Sequence, residues 1–373
     1  MAVTIRKTTA ASLLAVLLAL NAAPCSAESA TADDTARFLA GLPPSANSPL
    51  VALTQDPIWQ KHARYFNSVF ARADSNTLAK VRAFSNEHLP DKHNTLLYLF
   101  SGPDFLFATS FFPSATTYVL AGLEPVGTIP QLNSLGAAAI DGSLRNVETS
   151  LSSLLSFSFF LTKNMKTQLR EGPVYGTLPV LYVFLARTGK TIQNVSFVNL
   201  DEKGNFRVPD EGTNPGKARR SAAQGVKIVF SQGNGPRQTL YYFNTNLAGG
   251  AVERSGFLSF CEKLGPADSF IKSASYLLHS GSFTKARAFL LNHSAAIVQD
   301  DSGIPFAYFD PKKWRLQAFG WYVGPISRFA RHDQPQLTQL FNAGNAIPLD
   351  FGIGYRWRRN ESNLMLAVKT SPH

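Results

Sequence analysis

The chain predicts an α+β fold: a mixed, central and largely antiparallel sheet, a helical N-terminal region, and a helical pair before the closing strands. Three observations carry this. Apolar residues recur every three or four positions in the first half, as on one face of a helix. In the middle third, β-rich runs are joined by connections too short for crossover helices, so neighbouring strands must run antiparallel. Near the end, apolar and polar residues alternate, the period of a half-buried strand.

The N-terminus concerns destination rather than fold. Arg6 and Lys7 precede an apolar run over 10–23, and Pro24-Cys25-Ser26-Ala27 follows. This is the pattern of a cleavable secretory signal over 1–27, with small residues before the scissile bond. A lipid anchor on Cys25 is the rival, disfavoured by the proline directly before the cysteine. The expected location is therefore secreted or periplasmic. No later run is long enough for a spanning helix. Residues 28–48 are small and polar and include Pro43-Pro44, so they read as a flexible lead-in to one globular α+β domain over 49–373.

Asp56-Pro57 supplies a cap and a first-turn proline for a helix, with Trp59, Ala63, Phe66 and Phe70 on one face. Ser75 is read as the cap of a second helix carrying Leu78, Val81 and Phe84. The stretch 95–127 is the organising segment. Its apolar runs 96–100 and 118–123 flank a Ser101-Gly102-Pro103-Asp104 turn and an aromatic connection. Leu144, Val147, Leu151, Leu154 and Leu155 mark a further helix, extended toward Lys166.

Beyond Gly172-Pro173, residues 178–186 and 192–200 read as strands. A polar loop insertion over about 208–224 follows, and 226–231 and 239–243 form a hairpin across Gly233-Asn234-Gly235. Phe270, Ile271, Ala274, Leu277 and Leu278 suggest a helix, and Phe283, Ala286, Phe289 and Leu290 a second one capped by Ser282. The closing strands are 307–309, 316–323, the alternating run 349–357, and 364–368.

Composition bounds function. Apolar residues at 45% with charged residues at 16% exclude wholesale disorder. Removal of 1–27 leaves Cys261 alone, so no intramolecular disulfide forms, and its apolar setting reads as a buried small residue. The formal charge of +11, which becomes +9 once Arg6 and Lys7 leave with residues 1–27, favours anionic surfaces, with an envelope polymer or glycan as the expected partner. Basic–aromatic clusters at Trp314 and Trp357 are candidate binding residues. Nucleic acid is set aside because the chain is exported.

Carboxylates are the remaining chemistry. Asp300-Asp301-Ser302-Gly303 lies between two apolar runs, and with Asp104 it forms a candidate acid–base set, catalytic residues Asp104, Asp300 and Asp301. Ser101 and Glu124 are candidate binding residues beside them. The competing explanation is local: Asp, Ser and Gly favour turns. Ser269-Phe270-Ile271-Lys272 and Ser282-Phe283-Thr284-Lys285 match Ser-x-x-Lys, but the accompanying motifs of penicillin-recognising enzymes are in the wrong order. No Gly-x-Ser-x-Gly elbow, phosphate loop or His-x-x-x-His pair occurs, and no metal or cofactor is expected. Function is thus framed as a binding or envelope-associated protein, with a carboxylate-dependent hydrolase as the alternative.

Overall fold

The computed structural model describes residues 30–89, 93–158, 173–207 and 224–370. The signal-like segment, the continuation toward Lys166 and nearly all of the 208–224 insertion lie outside them.

The first helix, α1 (Ala32–Leu39), falls within the expected lead-in. Thr31 caps it by accepting the Asp34 N–H, and Ala36, Phe38 and Leu39 are fully buried. Hydrogen bonds tie it to the rest of the fold: Trp59 Nε1 donates to the Phe38 carbonyl (3.1 Å), and Asp33 Oδ1 accepts the Ile192 N–H (2.8 Å). Helix α2 (Pro57–Ala73) starts as expected, with Asp56 accepting the Ile58 N–H. It does not stop at Ser75. A single π-turn over Asp74–Leu78 carries it into α3 (Ala79–His88).

The organising segment contains a helix that the sequence reading missed. Strand β1 (Thr95–Tyr98) is followed by α4 (Phe105–Phe111), capped by Asp104, and then β2 (Thr117–Gly122). Because α4 crosses over the sheet, β1 and β2 pair in parallel. Helix α5 (Ala137–Phe157) buries Leu144, Val147, Leu151 and Leu154 as its spacing predicts.

The run 178–186 is a helix, α6 (Leu178–Arg187), not a strand. Its residues from Leu178 to Ala186 are all buried. A helix apolar all round shows no 3.6-residue alternation, so periodicity cannot separate it from a buried strand.

Strands β3 (Lys190–Leu200), β4 (Phe206–Arg207), β5 (Gln224–Gln232) and β6 (Gln238–Asn244) form an antiparallel meander as expected, without the strand placed at 178–186. Two short helices that were not anticipated, α7 (Gly249–Arg254) and α8 (Phe257–Lys263), lead to β7 (Ala267–Ile271). That strand occupies the place of the expected helix at 270–278. Cys261 is buried in α8, and desolvation pushes its thiol pKa up, consistent with an inert packing residue.

Helix α9 (Thr284–His293), β8 (Ser294–Gln299), β9 (Trp314–Gly320), α10 (Pro335–Asn342) and β10 (Asn363–Lys369) complete the order. Residues 306–308 form a 3₁₀ turn rather than a strand. The run 349–357 keeps its alternation only in burial. Leu349, Phe351 and Ile353 face the core, but the backbone folds back at Gly352, where a Cβ would sit 1.5 Å from the Trp357 carbonyl oxygen. One bridge, Ile353 to Arg356, is the only pairing within that run.

Among the described residues all ten strands belong to one mixed sheet, in the order β4-β3-β5-β6-β2-β1-β7-β8-β10-β9. The antiparallel ladders lie toward the two edges. The middle, β6-β2-β1-β7-β8, is parallel throughout. Apolar side chains on one sheet face pack with α1–α6, and those on the other with α7–α10. The molecule is therefore a mixed α+β fold in three layers.

Candidate functional site

The parallel centre decides where polar side chains gather. The chain leaves β1 toward β2 through α4 on one face, and leaves β7 toward β8 through α9 on the other. Adjacent strands whose connections diverge open a crevice at their carboxyl ends, the usual ligand position in such sheets. A cleft of about 160 Å³ lies there, lined by segments that follow β1, β2, β6 and β7.

Asp104 follows β1. Its Oδ1 accepts the Phe107 N–H (3.1 Å), capping α4, and its Oδ2 accepts the Tyr98 hydroxyl (2.9 Å) and pairs with Lys272 Nζ (2.9 Å). Lys272 is the first residue after β7. Its ammonium lies 3.9 Å from the Phe107 ring centroid and donates to the Ser158 carbonyl. Both partners of the pair are about 2% exposed. Burial lowers the Lys272 pKa, opposed by the Asp104 charge.

Glu124 follows β2 and lines the same cleft, 5% exposed. Its Oε2 accepts the Leu123 N–H (3.1 Å), and the Tyr242 hydroxyl, which donates to the Glu124 carbonyl (2.9 Å), is 3.4 Å from Oε2. Gly122 makes room for this carboxylate. A Cβ there would lie 2.5 Å from Oε2 and 2.9 Å from both Gly102 Cα and the Tyr242 hydroxyl oxygen. Ser101, Thr245 and Asn246 add a second hydroxyl-and-amide wall, and Phe100 and Phe283 an aromatic one with ring centroids 5.8 Å apart. Among the described residues the buried Thr245 Oγ1 and the Ser273 Oγ have no hydrogen-bond partner.

Asp300 and Asp301 stand behind this cleft, not in its wall. Ser273, Ser275 and Tyr276, in the loop after β7, have φ of +53°, +52° and +53°, a conformation that non-glycine residues rarely hold without support. The two acids supply it. Asp300 Oδ2 accepts the Ser273 N–H (2.8 Å), and Asp301 Oδ2 accepts the Tyr276 hydroxyl. Ser302 Oγ accepts the Ala274 N–H (2.8 Å) while donating to Asp300 Oδ1, and the Tyr355 hydroxyl donates to the Ser273 carbonyl (2.9 Å). Burial, then the neighbouring Asp301 charge, raises the Asp300 pKa to about 7. Burial raises that of Asp301 as well. The local-turn explanation holds for the backbone, since Asp300 Oδ1 accepts the Ser302 N–H (3.0 Å) and the Gly303 N–H donates to the Asp300 carbonyl (3.1 Å), but the turn is buried, with Asp300 3% and Asp301 4% exposed.

The two tryptophans separate. Trp314 is buried in β9 against Phe309, with ring centroids 5.6 Å apart, and it offers no binding surface. Trp357 is exposed beside Phe157 (5.3 Å) and borders a second cavity, a groove of about 770 Å³ between α2, α5 and the 350–359 loop. Arg72, Lys80, Arg358 and Arg359 line that groove against a single carboxylate, Asp350.

The structure thus joins Ser101, Asp104 and Glu124 in one cleft, puts Asp300 and Asp301 in its support, and sends Trp357 elsewhere. Sequence reasoning missed Lys272, Ser273 and Thr245. Lys272 was visible only inside a Ser-x-x-Lys match, but Ser269 and Lys272 belong to a strand and its end. Ser269 is fully buried and bonded to the Ser294 hydroxyl (2.7 Å). No protein-family model, curated protein or solved structure matches the chain.

Proposed function

We propose that the protein is an exported binding protein that takes a small, hydroxyl-rich ligand of the glycan class in the cleft at the carboxyl edge of the parallel strands. The convergence of polar side chains from four of those strands at the point where the connections diverge supports this reading most directly. Its hydroxyls and amide suit sugar hydroxyls, and the Phe100 and Phe283 rings suit the apolar faces of a sugar. An anionic ligand fits poorly, because Lys272 is committed to Asp104 and Glu124 is left over. The basic groove, in contrast, suits contact with an anionic envelope polymer. Export rests on the N-terminal pattern of the sequence. Among the described residues no helix is long and apolar enough to cross a membrane.

A second reading, a carboxylate-dependent hydrolase, is favoured by one observation: Asp104 and Glu124 line the same cleft. Calorimetric titration with a panel of mono- and oligosaccharides, alongside an assay for released reducing ends, separates the two. Saturable binding without product, weakened by Ser101→Ala and Asn246→Ala, is the expected result. Product release abolished by Asp104→Asn or Glu124→Gln would replace binding by hydrolysis. No binding and no product across the panel would remove the glycan reading.

A further inference from the structure

Glu124 poses a physical problem that the cleft itself does not solve. A buried carboxylate is costly unless it is paired with a cation or richly hydrogen-bonded. Asp104, an equally buried acid of the same cleft, has Lys272, the Tyr98 hydroxyl and a backbone N–H. Glu124 has one backbone N–H and a long contact to a hydroxyl that is already engaged, and it forms no ion pair among the described residues. The space at Gly122 lets its carboxylate lie against the strand end, facing the cleft. The Thr245 hydroxyl of the same cleft is buried and, among the described residues, unpartnered, and Phe100 and Phe283 line the cleft with it.

We infer that the missing partner is the ligand's own cation: the cleft takes a molecule bearing an ammonium group on a hydroxylated scaffold. Glu124 pairs with the ammonium, Thr245 Oγ1 hydrogen-bonds a neighbouring hydroxyl, and the Phe100 and Phe283 rings offer π-faces that tolerate positive charge. This inference deepens the cleft reading and rests on it. A buried carboxylate kept without a cation among the described residues is a stability cost accepted for binding, the trade-off expected where function opposes stability.

The test has a ligand-free arm and a ligand arm. In the ligand-free full chain, Glu124→Gln removes the uncompensated charge and keeps the shape, so its melting temperature stays level or rises. A clear fall would make Glu124 a structural group and overturn the inference. For ligands, glucosamine and galactosamine are compared with glucose and galactose, which differ by one ammonium-for-hydroxyl exchange. The amino sugars should bind about tenfold or more tightly, a preference that salt changes only weakly because the carboxylate is buried. Glu124→Gln should abolish the preference, whereas Thr245→Val should weaken both series and leave their ratio unchanged. Equal binding of amino and neutral sugars leaves the cleft reading standing and overturns the inference. Failure of both series to bind overturns both.

Discussion

The cleft and the groove are both open cavities lined by charge, yet they use it in opposite ways. The cleft has Asp104, Glu124 and Lys272, one excess negative charge, and all three are buried. The groove has four cations against Asp350, and its charges face water: Lys80 is 37% exposed, Asp350 57% and Arg358 69%. The Lys80–Asp350 pair spans 4.0 Å, against 2.9 Å for Lys272–Asp104. Water screens the groove charges individually and leaves a diffuse positive field. In the cleft, low polarisability makes each partner decisive, so a single unmatched carboxylate carries information about a ligand. The cavities also share a wall. Phe107 and Ser158 line the groove and, from the other side, hold the Lys272 ammonium.

The largest expected effect breaks the cleft side. Lys272→Ala strands Asp104 as a lone buried charge and should cost about 3–5 kcal/mol in denaturant unfolding. Adding Asp104→Asn should recover a large part of that, and no recovery would mean that the ammonium acts mainly by packing on Phe107. Gly122→Ala places a methyl against Glu124, Gly102 and Tyr242. About 1–3 kcal/mol of overpacking is expected, together with loss of sugar binding in the same titration.

Asp300 sharpens the contrast through pH. Its folded-state pKa lies above the ordinary carboxylate value, so the native state binds more protons between about pH 4 and 7. Its contribution to stability is therefore fully present below that window and lost as pH rises through about 7. His279 slopes the other way. Burial, with His332 and Arg287 nearby, lowers its pKa to about 4, so its effect is destabilising in acid and fades as pH rises above 6.5. The stability of wild type relative to Asp300→Asn should accordingly fall from pH 4 to pH 7 in chemical unfolding curves. A constant difference would mean that Asp300 does not titrate there. The smallest effect belongs to the groove: Arg358→Ala with Arg359→Ala should change stability by no more than about 0.5 kcal/mol. It should still weaken retention on a polyanion column while sugar binding is unchanged.

The legibility of these features follows their physics. Strands β5 and β6 were readable because a hairpin needs only local alternation and a glycine-rich turn. Helix α2 was readable because its cap, proline and apolar spacing are all local. Helix α6 was not, since burial on every side erases periodicity. Strand β7 was read as a helix because Phe270, Ile271 and Ala274 happen to fit helical spacing, and only pairing with β1 and β8 selects the strand. At the site, Ser101, Asp104 and Glu124 were picked out as polar punctuation after apolar runs, which is what strand ends look like. Lys272 and Thr245 carry no such mark, because each acquires meaning only from a neighbour far away in sequence.

By itself, then, the sequence determined the α+β class, the antiparallel meander, the burial of Cys261 and the polar residues at the ends of β1, β2 and β8. Each depends on patterns within a few residues. Tertiary structure alone decided that the middle of the sheet is parallel and that Asp104 pairs with Lys272. It also decided that Asp300 and Asp301 hold a left-handed loop and that Glu124 is left without a cation among the described residues. Those are contacts between segments about 25 to 170 residues apart. Their energies come from burial, which no local pattern encodes.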